Sequence, residues 1–260
     1  MDPGFFETLP MLVVYLGITA IILLSIVMGY RVGDKVHRDY DKEAPMSVGP
    51  LVGGLLSMLA FVLAISYSVA ASLNDSRKQY VLDEANAIGT AYLRADLLDG
   101  KSKREVKRLL KEYVDTRLEA VSPENLTEAL ARSVQIQKLL WARAVAISVK
   151  APSQNTQLFV QSINDLIDLH EKRVTVGLRA RIPASIWLAL LTISSLAMVT
   201  LGIQIGFSGS RKLVATIPMS LAFAVLTTLV VDLDRPQAGM TKVGQETMLD
   251  LRASMRHDVQ

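Results

Sequence analysis

The sequence predicts an all-α integral membrane protein, with four transmembrane helices and a helical aqueous domain inserted between the second and the third. Half of its 260 residues are apolar and 20% are charged, which is too apolar for an ordinary soluble protein. Four apolar stretches without a charged side chain occupy residues 9–30, 51–72, 184–207 and 213–231. Each has the roughly 18 to 20 residues with which a helix crosses about 30 Å of hydrocarbon.

The composition also excludes several classes of protein. A formal net charge of +3 is too small to indicate nucleic-acid binding, and the absence of cysteine excludes disulfides, thiolate metal sites and a cysteine nucleophile. The three histidines lie far apart, without the spacing of metal ligands. We therefore expect no enzyme activity, no metal and no cofactor.

The first two spans differ in how they end. Residues 9–30 are preceded by no Lys or Arg and followed by no small-residue cleavage pattern, so we expect a retained transmembrane helix rather than a secretory signal. The second span, 51–72, is followed by no proline, and apolar residues continue at intervals of three to four. This pattern predicts one long helix that leaves the membrane and ends at about residue 98.

The aqueous domain, residues 73–182, is predicted to be helical throughout. Ser102 and Glu105 have the spacing of a capping box that opens a helix at about 103–121. Pro123 and Pro152 separate two further helices, at about 124–149 and 155–181. Trp141 is expected in the core of this domain. A tail at 232–260 follows the fourth span.

The polar groups within the spans are hydroxyls and one amide, without any carboxylate or basic side chain. Proton pumps and ion-coupled transporters generally need such ionisable groups at depth, so the pattern argues against a pump. A passive pore with apolar walls, which gates by dewetting, is compatible with it. Gly202 and Gly206 have a small-xxx-small spacing that permits close helix approach, either within the subunit or between subunits.

One stripe of the second helix could line such a pore in a ring of subunits. Its residues recur every three or four positions and therefore share a face. Spacing alone favours an ordinary packing or lipid-facing stripe. The candidate neck is Ser57, Phe61 and Ile65, and the candidate flanking residues are Met58, Ser68 and Ser72.

Several sequence blocks carry a family resemblance. Residues 55–91, LLSMLAFVLAISYSVAASLNDSRKQYVLDEANAIGTA, resemble the second helix of bestrophin channels and its extension past the membrane. Residues 232–239, DLDRPQAG, look like the acidic-Pro-Gly element that follows the fourth helix there. The blocks EANAIGTAYLRADLL, RIPASIWLALL and DLDRP are similar to those of the bacterial bestrophin-like family, formerly a domain of unknown function.

The resemblance implies a homo-oligomer, a pentamer, with a central anion-conducting pore of the chloride type. It places a hydrophobic neck at Phe61 and Ile65, with Ser57 one turn above, and helical domains that extend the pore on the cytosolic side. Ser57 is polar where the family neck is usually apolar, which implies a shorter or wetter constriction. The acidic run of the calcium clasp in animal bestrophins has no counterpart, since residues 240–248 contain only Glu246. The aromatic pair after helix two is also missing.

Two further groups of residues are candidates for function. Glu84 and Arg94 could line a vestibule, although Glu84 could equally be neutralised by Arg77, Lys78 or Arg94 in an ion pair. The second group ends helix four and fits a structural joint better than an ion site, because Asp side chains can turn the chain and Pro ends a helix. It consists of Asp232, Asp234, Arg235 and Pro236.

The location follows from the resemblance, whereas the orientation stays open. We expect a multi-pass protein of the bacterial inner (plasma) membrane. Four basic residues at 31–50 and two at 208–212 place both short connectors inside by the positive-inside rule, and hence the large domain outside. The resemblance instead places that domain in the cytosol.

The sequence thus predicts a bestrophin-like anion channel whose partners are further copies of the chain, the lipid bilayer and small inorganic anions, without nucleic acid. The alternative is a non-conducting oligomeric scaffold or regulatory protein that binds an unidentified protein through its helical domain. A stator-like energy-coupling subunit is disfavoured because the spans contain no carboxylate.

Overall fold

The computed structural model describes residues 9–39, 48–122, 124–207, 214, 216–235 and 243–257, and every regular element within them is helical. Four of the helices are long and apolar enough to cross a membrane. The chain divides into two compact units, Met1–Asn74 with Arg181–Lys242, and Asp75–Ala180 with Val243–Gln260. The expected fold class is confirmed: a four-helix membrane protein with an inserted helical domain.

The first unit contains four membrane helices. They are α1 (Met11–Asp39), the first half of α2 (Gly49–Arg94), α6 (Ala184–Phe207) and α7 (Thr216–Asp234). Ile26, Leu59, Leu190 and Met198 are buried at their centre. Large apolar side chains on the outer faces, such as Leu24 at 68% exposure, are left uncovered by the described residues of the subunit, as expected of surfaces that face lipid.

Helices α1 and α6 approach each other through two pairs of glycines. A Cβ at Gly202 would clash with the Ile26 carbonyl, and one at Gly206 would lie 2.7 Å from the Tyr30 carbonyl oxygen. Gly29 and Gly33 on α1 are equally close to the backbone of α6. The small-xxx-small motif therefore serves packing within the subunit, where it lets two backbones meet. The matching pair on α1 was not predicted.

The second unit is a helical bundle. It contains the second half of α2, a 3₁₀ turn (Ala95–Leu97), α3 (Gly100–Glu119), α4 (Leu126–Lys150), α5 (Gln154–Val174), a π-helical turn (Thr175–Arg179) and α8 (Glu246–His257). Ile88, Leu110, Ile136, Phe159 and Leu166 form the centre of its core. Met248 and Met255 of α8 are buried in the same core, so the tail is part of this unit.

Two local predictions for this unit are wrong. Helix α3 begins at Gly100, and its N-cap is Asp99, whose carboxylate accepts hydrogen bonds from the backbone N–H groups of Lys101 and Ser102. A carboxylate is as good a cap as a serine hydroxyl and lies three residues earlier. Trp141 is 39% exposed rather than in the core, because the opposite face of α4 supplies the buried residues.

Candidate pore-lining face and buried charge cluster

The predicted neck residues all lie on the exposed face of α2. Phe61, Ile65 and Met58 are 67%, 45% and 53% exposed within the subunit, and Ser57, Ser68 and Ser72 are exposed as well. The opposite face contributes Leu59, Leu63 and Ala70 to the core of the first unit. Helical periodicity separates these two sets, so the apolar candidate face is uncovered by any of the described residues of one subunit.

This face is chemically suited to a dry constriction. Phe61 and Ile65 are bulky and uncharged, and the Ser57 hydroxyl already donates to the Gly53 carbonyl oxygen at 2.9 Å. The polar group of Ser57 is thus satisfied within its own helix. Side chains of this kind exclude water from a narrow passage and offer no fixed charge to hold an ion.

In the second unit, the second half of α2 carries a buried charged cluster centred on Glu84. The Glu84 side chain is fully buried. Its Oε2 accepts a hydrogen bond from Arg117 Nε at 2.9 Å and lies 2.8 Å from Arg173 Nε. Its Oε1 accepts the hydroxyl proton of Tyr113 at 2.7 Å. One carboxylate therefore links α2 to α3 and α5.

Two more buried side chains complete the cluster. Tyr113 Oη lies 2.9 Å from His170 Nδ1 and accepts from Gln137 Nε2 at 3.2 Å. Since Tyr113 gives its single proton to Glu84, a hydrogen bond between Tyr113 and His170 requires a proton on His170 Nδ1. Gln137 brings α4 into the same network. Four helices are thus joined through the atoms around one carboxylate.

The electrostatics of the cluster keep Glu84 ionised. Burial disfavours the charged form, but the neighbouring Arg117 and Arg173 guanidinium groups, helped by hydrogen bonds from His170 and Arg117, hold the pKa of Glu84 well below its usual range. Burial, reinforced by the Glu84 charge, raises the pKa of Tyr113 well above its ordinary value. Tyr113 therefore keeps the proton that it donates.

These contacts correct the prediction for Glu84. The residue does not line a vestibule, because its side chain has no exposed surface. Its ion-pair partners are Arg117 and Arg173, whereas Arg77 donates to the backbone carbonyl oxygens of Val176 and Ala180. The real partners are distant in sequence, and helical periodicity relates only residues on the same helix.

Arg94, the other candidate vestibule residue, is partly buried. Its Nη1 donates to the Leu158 carbonyl oxygen at 2.7 Å, which ties the end of α2 to α5. The side chain keeps some exposed surface. Its role as a vestibule residue stays a prediction.

The residues at the end of α7 form hydrogen bonds to neighbouring backbone. Asp234 Oδ1 accepts from Ile182 N–H at 2.8 Å, and its carbonyl oxygen accepts from Arg181 at 3.1 Å. Arg235 donates to the Leu9 carbonyl oxygen at 2.8 Å. Asp232 is buried beside them. This geometry links the end of α7 to the segment before α6, as a joint would; Pro236 lies outside the described residues.

The described residues contain no group of three or more His, Asp or Glu side chains placed to hold a metal ion. The buried cluster contains no serine, cysteine or lysine nucleophile, and its carboxylate is fully engaged. Sequence reasoning missed the cluster residues on α3, α4 and α5. The only signal was the presence of basic, aromatic and amide residues at positions that continue the apolar stripes of their helices. They are Tyr113, Arg117, Gln137, His170 and Arg173.

Comparisons with known proteins agree on one family. The model of the Bestrophin-like domain matches residues 17–248. A crystal structure of a bacterial bestrophin homologue from Klebsiella pneumoniae with a leucine-to-threonine substitution is 13% identical and superimposes with a TM-score of 0.70, covering 93% of this chain and 98% of that one. An isoleucine-to-threonine variant of that homologue is 15% identical and superimposes with a TM-score of 0.68, covering 93% of this chain and 98% of that one. No curated protein sequence matches significantly.

Proposed function

Because the chain belongs to the bestrophin-like family, we propose that it is an anion channel in which copies of α2 surround a central pore. The observation that carries this proposal is the unpartnered apolar face of α2, with Phe61 67% exposed and Ile65 45% exposed. In a ring of subunits this face forms a hydrophobic neck. The permeant ions are small inorganic anions of the chloride type.

The absence of charge in the membrane spans supports passive conduction. Residues 11–30 of α1, 51–72 of α2, 184–207 of α6 and 216–231 of α7 contain no Asp, Glu, Lys or Arg, and the acidic residues Asp232 and Asp234 lie in the last turn of α7. A channel needs no such group to bind or release a proton, whereas a pump or coupled transporter does. Ion flow through this neck depends on whether the passage is wide enough to be wet.

A second exposed apolar surface supports an oligomer. On α4, in the second unit, Trp141, Val145 and Val149 recur every four residues, share one face and are 39%, 43% and 79% exposed. A neighbouring copy of the chain would remove this surface from water. We propose a homopentamer, as the family resemblance implies.

We also propose a location in the bacterial inner membrane, with the helical domain in the cytosol. The family resemblance supports this side, and the basic residues of the short connectors argue for the opposite one. Two reporters, one active only in the cytosol and one active only in the periplasm, are each fused after Gln260. Activity of the first supports a cytosolic domain, and activity of the second supports the opposite orientation.

Conduction is tested with purified protein in planar bilayers under a chloride gradient. We expect anion-selective current from the wild type and a larger current from Phe61→Ala/Ile65→Ala, because smaller side chains widen and hydrate the neck. The matched control is Leu24→Ala/Leu196→Ala, which shortens two exposed apolar residues on α1 and α6 and should leave the current unchanged.

Absence of current from the wild type and from Phe61→Ala/Ile65→Ala would overturn conduction. The non-conducting scaffold would then be favoured, with the exposed α4 surface as its docking site. An equal rise in current in the control variant would refute the neck on α2 while leaving a channel intact.

A further inference from the structure

A basic hollow in the second unit has no role in the proposed pore. It has a volume of about 670 Å³, within the usual range of small-molecule sites. Five of its seven lining residues are basic and one, Asp96, is acidic. The lining residues are Tyr92, Asp96, Lys103, Arg104, Lys107, Arg108 and Lys111.

The basic residues are held in place by the floor of the hollow. Lys103 Nζ and Lys107 Nζ lie 2.8 Å and 2.7 Å from the same Oδ1 of Asp96. Lys107 Nζ also lies 4.3 Å from the centre of the Tyr92 ring, and only 14% of the Lys107 side chain is exposed. Hydrogen bonds from both lysines lower the pKa of Asp96. The two ammonium groups are therefore fixed beside each other before any ligand arrives.

Three carboxylates of α3 form ion pairs with other helices. Glu105 and Glu112 pair with Arg143 and Arg132 of α4, and Asp115 pairs with Arg252 of α8. Glu112 also lies 3.4 Å from Arg108 Nη1, so of the basic lining residues Arg108 shares a carboxylate with α4. A merely solvated helix surface usually intersperses the two signs. Here a single carboxylate, Asp96, faces five cations among the lining residues.

We propose that this hollow binds a ligand with two or more phosphate groups. Lysine and arginine are the usual partners of phosphate oxygens, and a cluster with an excess of four positive charges favours a multiply charged anion over chloride. Tyr92 is 5% exposed and its ring is covered by Lys107, so the ring is not available to stack on a base or a sugar, and the phosphate groups carry the recognition. A soluble polyphosphate and an anionic lipid headgroup share this chemistry.

The test uses the full-length protein in phosphatidylcholine nanodiscs. Inorganic triphosphate is titrated by calorimetry. Binding to vesicles is measured by flotation, with phosphatidylcholine vesicles that either contain or lack cardiolipin, a lipid whose headgroup carries two phosphates. The variant is Arg104→Ala/Arg108→Ala, since Arg104 is exposed and the Arg108 side chain is 66% exposed. The control, Lys138→Ala/Lys172→Ala, removes two exposed positive charges from α4 and α5.

We expect saturable triphosphate binding that weakens roughly tenfold or more in Arg104→Ala/Arg108→Ala, because two charge-assisted hydrogen bonds are lost. The control should bind like the wild type. If only the vesicles that contain cardiolipin show this pattern, the ligand is a lipid headgroup with two phosphates and the site stands. No saturable binding to either probe, or an equal loss in the control, would overturn the proposal. Neither readout depends on conduction.

Discussion

The buried cluster makes a quantitative prediction about Glu84→Gln. The substitution keeps the size of the side chain but removes the charge that compensates Arg117 and Arg173, whose side chains are 3% and 10% exposed. Breaking a buried ion pair on one side typically costs about 3 to 5 kcal/mol. For a chain of this size each kcal/mol lowers Tm by roughly 2 to 4 °C, so we expect a fall of about 10 °C.

The assay is thermal unfolding in nanodiscs, followed by Trp141 fluorescence in a Trp187→Phe background. Trp141 lies in the second unit and reports on the helices that the cluster joins. The matched control is Glu171→Gln, which makes the same chemical change at an exposed position of α5. Surface substitutions of this kind usually change stability by less than about 0.5 kcal/mol.

A double variant separates the loss of charge balance from the loss of contacts. Glu84→Gln/Arg173→Gln removes one negative and one positive charge, so it restores the net charge of the wild-type cluster. We expect it to be more stable than Glu84→Gln alone, since contacting charges are not additive. The reasoning is refuted if Glu84→Gln lowers Tm no more than Glu171→Gln does, or if the double variant is the less stable of the two.

Three further predictions use thermal unfolding in nanodiscs. For the first unit it is followed by Trp187 fluorescence in a Trp141→Phe background, and for the second unit by Trp141 fluorescence as above. Gly202→Leu should destabilise the first unit by at least about 1 to 3 kcal/mol, because the new side chain meets the backbone of α1. The control Gly17→Leu, at a position with open space around it, should leave stability unchanged. Similar losses of stability in both variants would contradict the close glycine contact between α1 and α6. Asp234→Ala should lower the free energy of unfolding of the first unit by about 1 to 3 kcal/mol, because Ile182 N–H loses its acceptor. An unchanged Tm would contradict the structural link between the end of α7 and the segment before α6. The lowered pKa of Glu84 means that its stabilisation is complete above the pKa of an unfolded glutamate, about 4.3, and is lost as the pH falls further. Wild type should therefore lose more stability below about pH 4 than Glu84→Gln does, and equal losses would refute this.

The membrane helices could be predicted because hydropathy depends on a single continuous stretch of chain. Lipid solvates each span separately, so the four apolar stretches suffice to indicate the membrane architecture. The exposed face of α2 also follows from periodicity, since Phe61 and Ile65 are one turn apart. That copies of α2 meet around a shared axis does not follow from periodicity, because helical spacing within one chain does not show where another copy binds.

The buried cluster could not be predicted for a different reason. Glu84 is 33 residues from Arg117 and 89 from Arg173 along the chain, and only the packing of three helices brings them together. Sequence reasoning chose nearby basic residues as partners because periodicity relates near neighbours on one helix. Only one side of the glycine contact between α1 and α6 could be predicted, for the same reason. Gly202 and Gly206 form a recognisable pair in the sequence, but that they pack against Gly29 and Gly33 follows only from the packed structure.

The most direct test of the proposed pore uses single cysteines, since the natural chain has none. Phe61→Cys and the control Leu24→Cys, on the exposed face of α1, are each divided into two samples. One sample is oxidised in nanodiscs, and the other is kept reduced and recorded in bilayers before and after addition of a charged thiol reagent. If α2 surrounds the axis, Phe61→Cys forms disulfide-linked dimers and its current is blocked by the reagent, while Leu24→Cys shows neither effect. Unlinked subunits with unblocked current from Phe61→Cys would place another helix at the centre and contradict the proposed pore.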